Sequence, residues 1–211
     1  MSTWYSALVR CTCGHAFDAR LVRGANVARS NALREAALAG TLNVPTCARC
    51  GAAGPVDASV VYADFQRGHW IAVARLADLR DWASIERTAL AAFRTCLETA
   101  VAIELPPMAV RVVFELDELR ERLAIWDAGL DDAHVEYAKL TCLAENPAIR
   151  GPEGRIRVVA ISEGELVMQS DCGRWTVDRA VVDRVALDPT WAARFPALSD
   201  HGFVSIDRYL R

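Results

Sequence analysis

Four cysteines near the start of the chain have the spacing of metal ligands. Cys11 and Cys13 form a C-x-C-G motif, and Cys47 and Cys50 form a C-x-x-C-G motif. Zn²⁺ takes four soft or borderline ligands in a tetrahedron, and two close pairs on two turns supply them without a large core. Glycine after each pair tolerates a positive φ and leaves backbone N–H groups free to face the thiolates. We therefore predict a Zn²⁺ site made by these four cysteines.

Other assignments of these cysteines stay open at the level of sequence. The four side chains could be buried thiols without a metal. His15 lies two residues after Cys13 and could replace Cys11 in a Cys₃His site. Four thiolates could also hold an iron–sulfur cluster, although ferredoxin spacing is absent. A site closed by four protein ligands has no position for water, so the predicted zinc is structural rather than catalytic.

Composition places the chain among globular proteins. It has 211 residues, of which 53% are hydrophobic and 24% charged, which is enough apolar material for a core and excludes wholesale disorder. No apolar run approaches the roughly 20 residues that span a bilayer, and the first residues lack a signal-peptide pattern. We expect a cytoplasmic protein with no membrane contact, in which the seven cysteines are metal ligands or core thiols rather than disulfides.

Charge is distributed unevenly along the chain. The net charge is −3, which by itself does not indicate nucleic acid as a partner. Residues 1–55 carry six arginines against Asp18 and Glu35, so the segment with the cysteine motifs is basic and the remainder is acidic. Lys139 is the only lysine beside 23 arginines, and we attribute this bias to GC-rich coding.

The hydrophobic pattern predicts an α+β fold with local strand pairs. It combines a zinc-ribbon-like cysteine module with a β-hairpin, several helices and a C-terminal antiparallel β-meander. Asn31 is the predicted cap of the first helix, and Asp131 or Asp132 the cap of a later one. The predicted elements are strands at 6–10, 17–23, 60–62, 70–74 and 110–114, helices over 31–39, 82–104, 116–126 and 132–146, meander strands at 155–161, 166–169 and 174–177, a helix at 178–185, and an irregular tail.

The weakest joint of the chain is predicted between residues 146 and 154. Two prolines and two glycines fall within these nine residues. We therefore expect two domains, a zinc-binding domain over residues 1–150 and a small β-meander with a C-terminal tail over residues 151–211.

The other polar side chains favour structural roles. Asp64 and His69 flank a hairpin turn and could act as an acid/base pair, but no nucleophile or phosphate-binding loop accompanies them, so we favour a turn salt bridge with Arg67 and a solvated histidine. Because no catalytic motif is present, we expect no enzyme. Asp131, Asp132 and Glu136 could gather a cation, but acids at a helix start more often complement the helix dipole, which is the role we favour. The remaining predictions are a solvated helix face for Glu115, Glu118 and Glu121, core positions for Cys96 and Cys142, and an exposed turn for Cys172.

The two cysteine pairs and the hairpin segment 62–70 (YADFQRGHW) resemble motifs of the CpXC domain family, a bacterial family with two cysteine-pair motifs. The resemblance covers residues 1–150 and implies zinc binding, but no substrate or reaction. The first pair departs from the family pattern, which has C-x-x-C there. The resemblance depends on residues 11–17 (CTCGHAF), residues 24–27, residues 33–35 and 40–43, Cys47 to Gly51, residues 62–70 (YADFQRGHW), and residues 129–132 followed by Glu136 and Lys139.

Three function hypotheses follow from the sequence. The first is a noncatalytic zinc-binding protein whose structural zinc holds a protein-interaction module, with a protein partner. The second is a zinc-centred redox switch, because the cysteine string is also similar to that of the redox-regulated heat-shock holdase chaperone. The third is a nucleic-acid-binding zinc ribbon, which the acidic remainder of the chain disfavours. It needs one shared face for Arg10, Arg20, Arg23, Arg29, Arg34 and Arg49.

Overall fold

A computed structural model describes residues 1–99, 105–151 and 154–210. The chain divides into two compact units, Met1–Arg120 and Glu121–Arg211. Strands and helices occur in both units, so the predicted α+β class is confirmed.

The first unit is built on a five-stranded mixed sheet in the order β1-β2-β3-β4-β5. Its strands are β1 (Thr3–Arg10), β2 (Ala16–Asn26), β3 (Val60–Asp64), β4 (His69–Ala74) and β5 (Ala109–Phe114). The pairs β1–β2 and β3–β4 are antiparallel hairpins, as the sequence predicts. The pairs β2–β3 and β4–β5 are parallel, because the chain crosses over between them. The hydrophobic pattern predicts only local strand pairs, so these two non-local parallel pairs correct that prediction.

Two helices form these crossovers. Helix α1 (Asn31–Leu38) lies between β2 and β3, and helix α2 (Trp82–Thr99) lies between β4 and β5. In α2, Phe93 is buried and its ring packs 5.3 Å from that of Trp70 on β4. The predicted extension of this helix to residue 104 falls outside the described residues. Ser30, not Asn31, occupies the cap position of α1, and the Asn31 side chain donates a hydrogen bond to Glu35 instead.

The second unit packs helices around a three-stranded antiparallel meander. Its core joins side chains of α4 and the meander with Leu198, Val204 and Ile206 from the C-terminal segment. The tail predicted as irregular therefore contributes core residues, and it contains three short helices. The elements are α4 (Asp132–Glu145), β6 (Arg157–Ile161), β7 (Glu165–Ser170), β8 (Gly173–Asp178), α5 (Arg179–Leu187), α6 (Pro189–Arg194), α7 (Ala197–Asp200) and α8 (Asp207–Leu210).

Helix α3 (Leu116–Asp127) contains the boundary between the two compact units. Compact units do not by themselves define the limits of a CpXC-like domain. The predicted division into residues 1–150 and 151–211 therefore stays a prediction. Among the described residues, no helix combines the length and the apolar character needed to cross a membrane.

Candidate metal centre

The turn of the β1–β2 hairpin positions the first cysteine pair. The backbone N–H of Cys11 donates to the carbonyl of His15 at 2.9 Å, and that of Gly14 donates to the carbonyl of Cys11 at 2.9 Å. Gly14 has φ +83°, a left-handed conformation that glycine adopts at little cost. The antiparallel strands therefore end in a tight turn that projects both sulfurs from one end of the sheet.

The second pair lies on a loop between α1 and β3, which we call the cysteine loop (residues 41–58). The backbone N–H of Cys47 donates to the carbonyl of Ala52 at 2.8 Å, and that of Gly51 donates to the carbonyl of Cys47 at 2.9 Å. Gly51 has φ +74°. The conformation predicted for the glycine after each pair is thus present in both turns.

The two turns bring the four predicted sulfurs together. All four lie within 4.8 Å of one another. Cys11 Sγ is 3.5 Å from Cys50 Sγ, and Cys13 Sγ is 3.9 Å from Cys47 Sγ. Four sulfurs at about 2.3 Å from one zinc ion define a tetrahedron with edges of about 3.8 Å. Cys11, Cys13, Cys47 and Cys50 could therefore hold a metal ion.

The electrostatics of the cluster also favour a cation. A hydrogen bond from the backbone N–H of Cys13, assisted by the Cys50 thiol, lowers the pKa of Cys11 to about 6. At Cys50, the backbone N–H of Ala52 acts to lower the pKa, but the three neighbouring cysteines outweigh it and raise the pKa to about 12. The neighbouring sulfurs thus disfavour ionisation of Cys50, and a bound cation would offset that repulsion.

His15 is not part of this cluster. The sulfurs of the four cysteines form a complete group without it, and its ring stacks on that of Phe17 with centroids 6.0 Å apart and an interplanar angle of 12°. The Cys₃His alternative therefore loses its geometric basis.

The residues of the β3–β4 turn form the predicted salt bridge. Arg67 Nη1 lies 2.9 Å from Asp64 Oδ2, and the Asp64 side chain is buried. His69 is half-buried rather than solvated, and its Nδ1 is shielded from solvent.

The predicted solvated helix face at the start of α3 is wrong. Glu118 and Glu121 are buried. Glu118 accepts a hydrogen bond from the backbone N–H of Phe114 at 2.6 Å, so the carboxylate satisfies a backbone donor at the end of β5. Only Glu115 of the three is partly exposed.

A buried charge network in the second unit was not predicted from the sequence. Lys139 Nζ lies 2.7 Å from Glu121 and 2.7 Å from Glu136, and Arg122 Nη1 lies 3.2 Å from Asp132. Asp132 lies in the first turn of α4, as the dipole role requires, but Asp132 and Glu136 are also buried ion-pair partners, which the sequence did not predict. Lys139 follows Glu136 by three residues, but that spacing is equally typical of an exposed helix pair and does not predict burial.

Helix capping is correctly predicted for α4. Asp131 caps this helix by accepting from the backbone N–H of Ala133 at 2.8 Å.

The three cysteines outside the cluster differ in their exposure. Cys96 is exposed, so its predicted core position is wrong. Cys142 packs half-buried against the core of the second unit, and burial raises the pKa of its thiol. Cys172 is exposed in the β7–β8 turn, as predicted.

The arginines of the nucleic-acid hypothesis are only partly described. Arg10 and Arg20 are exposed on the β1–β2 hairpin, and the guanidinium of Arg20 lies 4.8 Å from the centre of the Trp4 ring. The side chain of Arg29 falls outside the described residues. The shared face of six arginines that the nucleic-acid hypothesis requires is therefore not tested.

The structure defines the class of this protein as an α+β domain in which two turns bring four cysteines together, in a cluster that could hold a metal ion. A family model described as CpXC protein matches residues 9–139, and the chain belongs to the CpXC family. The matched segment contains all four clustered cysteines and extends to Lys139. Comparisons with curated proteins and with solved structures found no match.

Proposed function

We propose that this protein is a noncatalytic zinc-binding protein in which a structural Zn²⁺ holds a protein-interaction module. The observation that carries the proposal is the convergence of four thiols within 4.8 Å of one another. Membership of the CpXC family supports it.

The donor set favours zinc. Thiolates are soft ligands that select zinc, Cu(I) or iron–sulfur centres over Mg²⁺ and Ca²⁺, and a tetrahedral S₄ arrangement is typical of structural zinc. With all four positions taken by protein, the ion binds no water, so its role is to stabilise the fold.

The ion would connect the turn of the β1–β2 hairpin to the cysteine loop. The cysteine loop contains a single isolated bridge, between Thr46 and Ala53, and no regular strand or helix. Backbone hydrogen bonds within the loop and the bonds from Asn43 to Val22 order it in part, and ordering the rest costs conformational entropy. Coordination by Cys11 and Cys13 on one side and Cys47 and Cys50 on the other offsets that cost and fixes the loop against the hairpin.

Metal analysis of the purified protein tests this proposal. We expect one zinc per chain, and we expect Cys47→Ser to lose the ion and to lower the Tm. Cys172→Ser is the matched control, because it also removes one thiol but lies outside the cluster. A chain purified without chelator that holds no metal, or a Cys47→Ser variant of unchanged Tm, contradicts the proposal.

A redox switch is the second candidate, and the exposure of the centre favours it. Cys13 and Cys50 are exposed, and Cys50 Sγ lies 3.5 Å from Cys11 Sγ. Each thiolate pair would give two electrons to hydrogen peroxide, forming one disulfide, reducing the peroxide to water and releasing the zinc. Zinc release measured with a colorimetric chelator, and its reversal by a thiol reductant, would support the switch. Retention of zinc under peroxide excludes it.

A further inference from the structure

A groove of about 330 Å³ lies in the first unit at the base of the cysteine loop. Its walls are mainly apolar. Leu42 and Val44 line it just before the cysteines, and Val56 lines it just after them. Leu76 and Leu116 contribute from outside the loop, and Leu76 is 37% exposed. An exposed leucine in a concave apolar surface is typical of a binding site rather than of a finished core.

The groove shares its wall with the segment that carries the metal centre. The carbonyl of Asn43 accepts a hydrogen bond from the backbone N–H of Val56 at 3.0 Å, which joins the two ends of the cysteine loop. The Asn43 side chain in turn bonds both backbone groups of Val22 on β2, at 2.7 and 3.0 Å. A metal held at the tip of the cysteine loop and Asn43 at its base would therefore order the same short segment, which forms part of the groove wall.

The rim of the groove is acidic. Asp57, Glu115 and Asp117 line it. Among the described residues, no arginine or lysine lines the groove. Arg75 lies nearby, but it is engaged by Asp78 through two hydrogen bonds of 2.8 Å. Arg120 borders one end of the groove, beside Gly40. The rim thus carries more negative than positive charge.

We infer that this groove binds a peptide segment of a partner protein that combines basic and aliphatic side chains. The inference rests on the proposed function, because it names the surface through which the interaction module holds its partner. Aliphatic side chains match the apolar walls, and arginine or lysine pairs with the carboxylates at the rim. Nucleic acid and anionic lipid carry the same sign of charge as the rim, which disfavours both.

Fluorescence anisotropy with three labelled hexapeptides tests the inference. The probe alternates leucine with arginine. One comparison peptide replaces each arginine by glutamate, and the other replaces each leucine by serine. We expect the leucine–arginine peptide to bind at least about tenfold more tightly than either comparison peptide, since each lacks one of the two matches. Equal binding of all three overturns the inference.

Charge variants locate the site. We expect the double variant Asp57→Asn, Asp117→Asn to weaken binding of the leucine–arginine peptide by about tenfold. The matched control is the double variant Asp18→Asn, Asp183→Asn, which removes two exposed carboxylates outside the groove. The two double variants therefore have the same net charge. Equal weakening in both double variants shows attraction to the whole chain rather than to the groove, and overturns the inference. Leu76→Ser should also weaken binding, without loss of zinc.

Zinc content measured on the same samples separates the two proposals. A zinc-loaded chain that does not discriminate among the three peptides overturns the groove inference and leaves the proposed metal site standing. A chain without zinc that still binds the leucine–arginine peptide selectively overturns the proposed function and supports the groove. Removal of zinc by a chelator should weaken selective binding about fivefold or more, because the wall of the groove loses its order.

Discussion

The ammonium of Lys139 lies 2.7 Å from a carboxylate oxygen of Glu121, and both side chains are almost wholly buried. The same ammonium donates to Glu136 at 2.7 Å. Glu121 also accepts from the backbone N–H of Val158 at 2.6 Å, and Glu136 accepts from that of Ile206 at 2.8 Å. The network therefore ties α4 to β6 and to the C-terminal segment. A compact ammonium with three donors suits two converging carboxylates, whereas the planar fork of arginine does not.

Replacement of Lys139 by methionine should destabilise the second unit strongly. The change leaves two buried carboxylates without their shared cation, which costs about 3–5 kcal/mol of unfolding free energy. Chemical denaturation followed by tryptophan fluorescence measures it. Arg184→Met is the control, because it removes an exposed cation from α5 and should change stability by less than about 0.5 kcal/mol. Similar losses in the two variants would contradict a role for the buried network.

The same network predicts how stability depends on pH. Burial alone would lower the pKa of Lys139, but Glu121 and Glu136 outweigh it and raise the pKa. Burial alone would raise the pKa of Glu121, but Lys139, Arg157 and Arg122 outweigh it and lower the pKa. The contribution of Lys139 is therefore present below about pH 10.4 and lost as pH rises through its folded pKa. The contribution of Glu121 is present above about pH 4.3 and lost as pH falls through its folded pKa.

Glu136 acts in the opposite direction in acid. Burial raises its pKa, so its contribution is largest below about pH 4.3 and is lost as pH rises through its folded pKa. We expect Glu121→Gln to flatten the fall of stability in acid and Glu136→Gln to steepen it. Unfolding free energies from about pH 3 to about pH 8 measure both effects. Identical acid profiles in the two variants would refute this assignment of the shifts.

Loss of the Asn43 side chain should loosen the cysteine loop. Asn43 is buried and has φ +53°. Asn43→Ala leaves the N–H and carbonyl of Val22 unsatisfied, at about 1–3 kcal/mol each, and it keeps a left-handed backbone on a residue with a Cβ. Asn43→Gly loses the same bonds without that backbone cost, so it should be less damaging by about 1 kcal/mol. Denaturation of both, with exposed Asn31→Ala as control, checks the order. Equal stability of the alanine and glycine variants would be inconsistent with it.

The glycine after the second cysteine pair should matter for metal affinity. Gly51 has φ +74° and open space around it, so Gly51→Ala adds backbone strain without a clash. A left-handed alanine costs about 1–2 kcal/mol, which is roughly a fivefold to thirtyfold loss of zinc affinity. Competition with a colorimetric chelator measures the affinity. Gly54→Ala is the control in the same loop, because Gly54 also has open space but not a positive φ. An equal loss in both variants would rule out the backbone explanation.

Local sequence was sufficient for the candidate ligands and for most elements before the C-terminal tail, whose short helices it missed. Cysteine pairs followed by glycine report a local turn, and that turn is present at Gly14 and Gly51. Apolar periodicity likewise located α2, α3 and the meander, because the repeat of apolar residues in a helix or a strand spans only a few neighbouring residues.

Burial of charge followed from tertiary structure alone. Glu121 and Glu136 have the spacing of an exposed helix face or a dipole partner, and nothing within a helical turn indicates that β6 and the C-terminal segment cover them. The parallel pairing of β2 with β3 and of β4 with β5 was likewise set by chain crossovers rather than by strand patterns. The sequence alone determined which side chains could bind a metal and where the chain turns, since both depend on residues close together. The fold decided which charges are buried, which strands are parallel and where a groove opens, because those depend on atoms far apart along the chain.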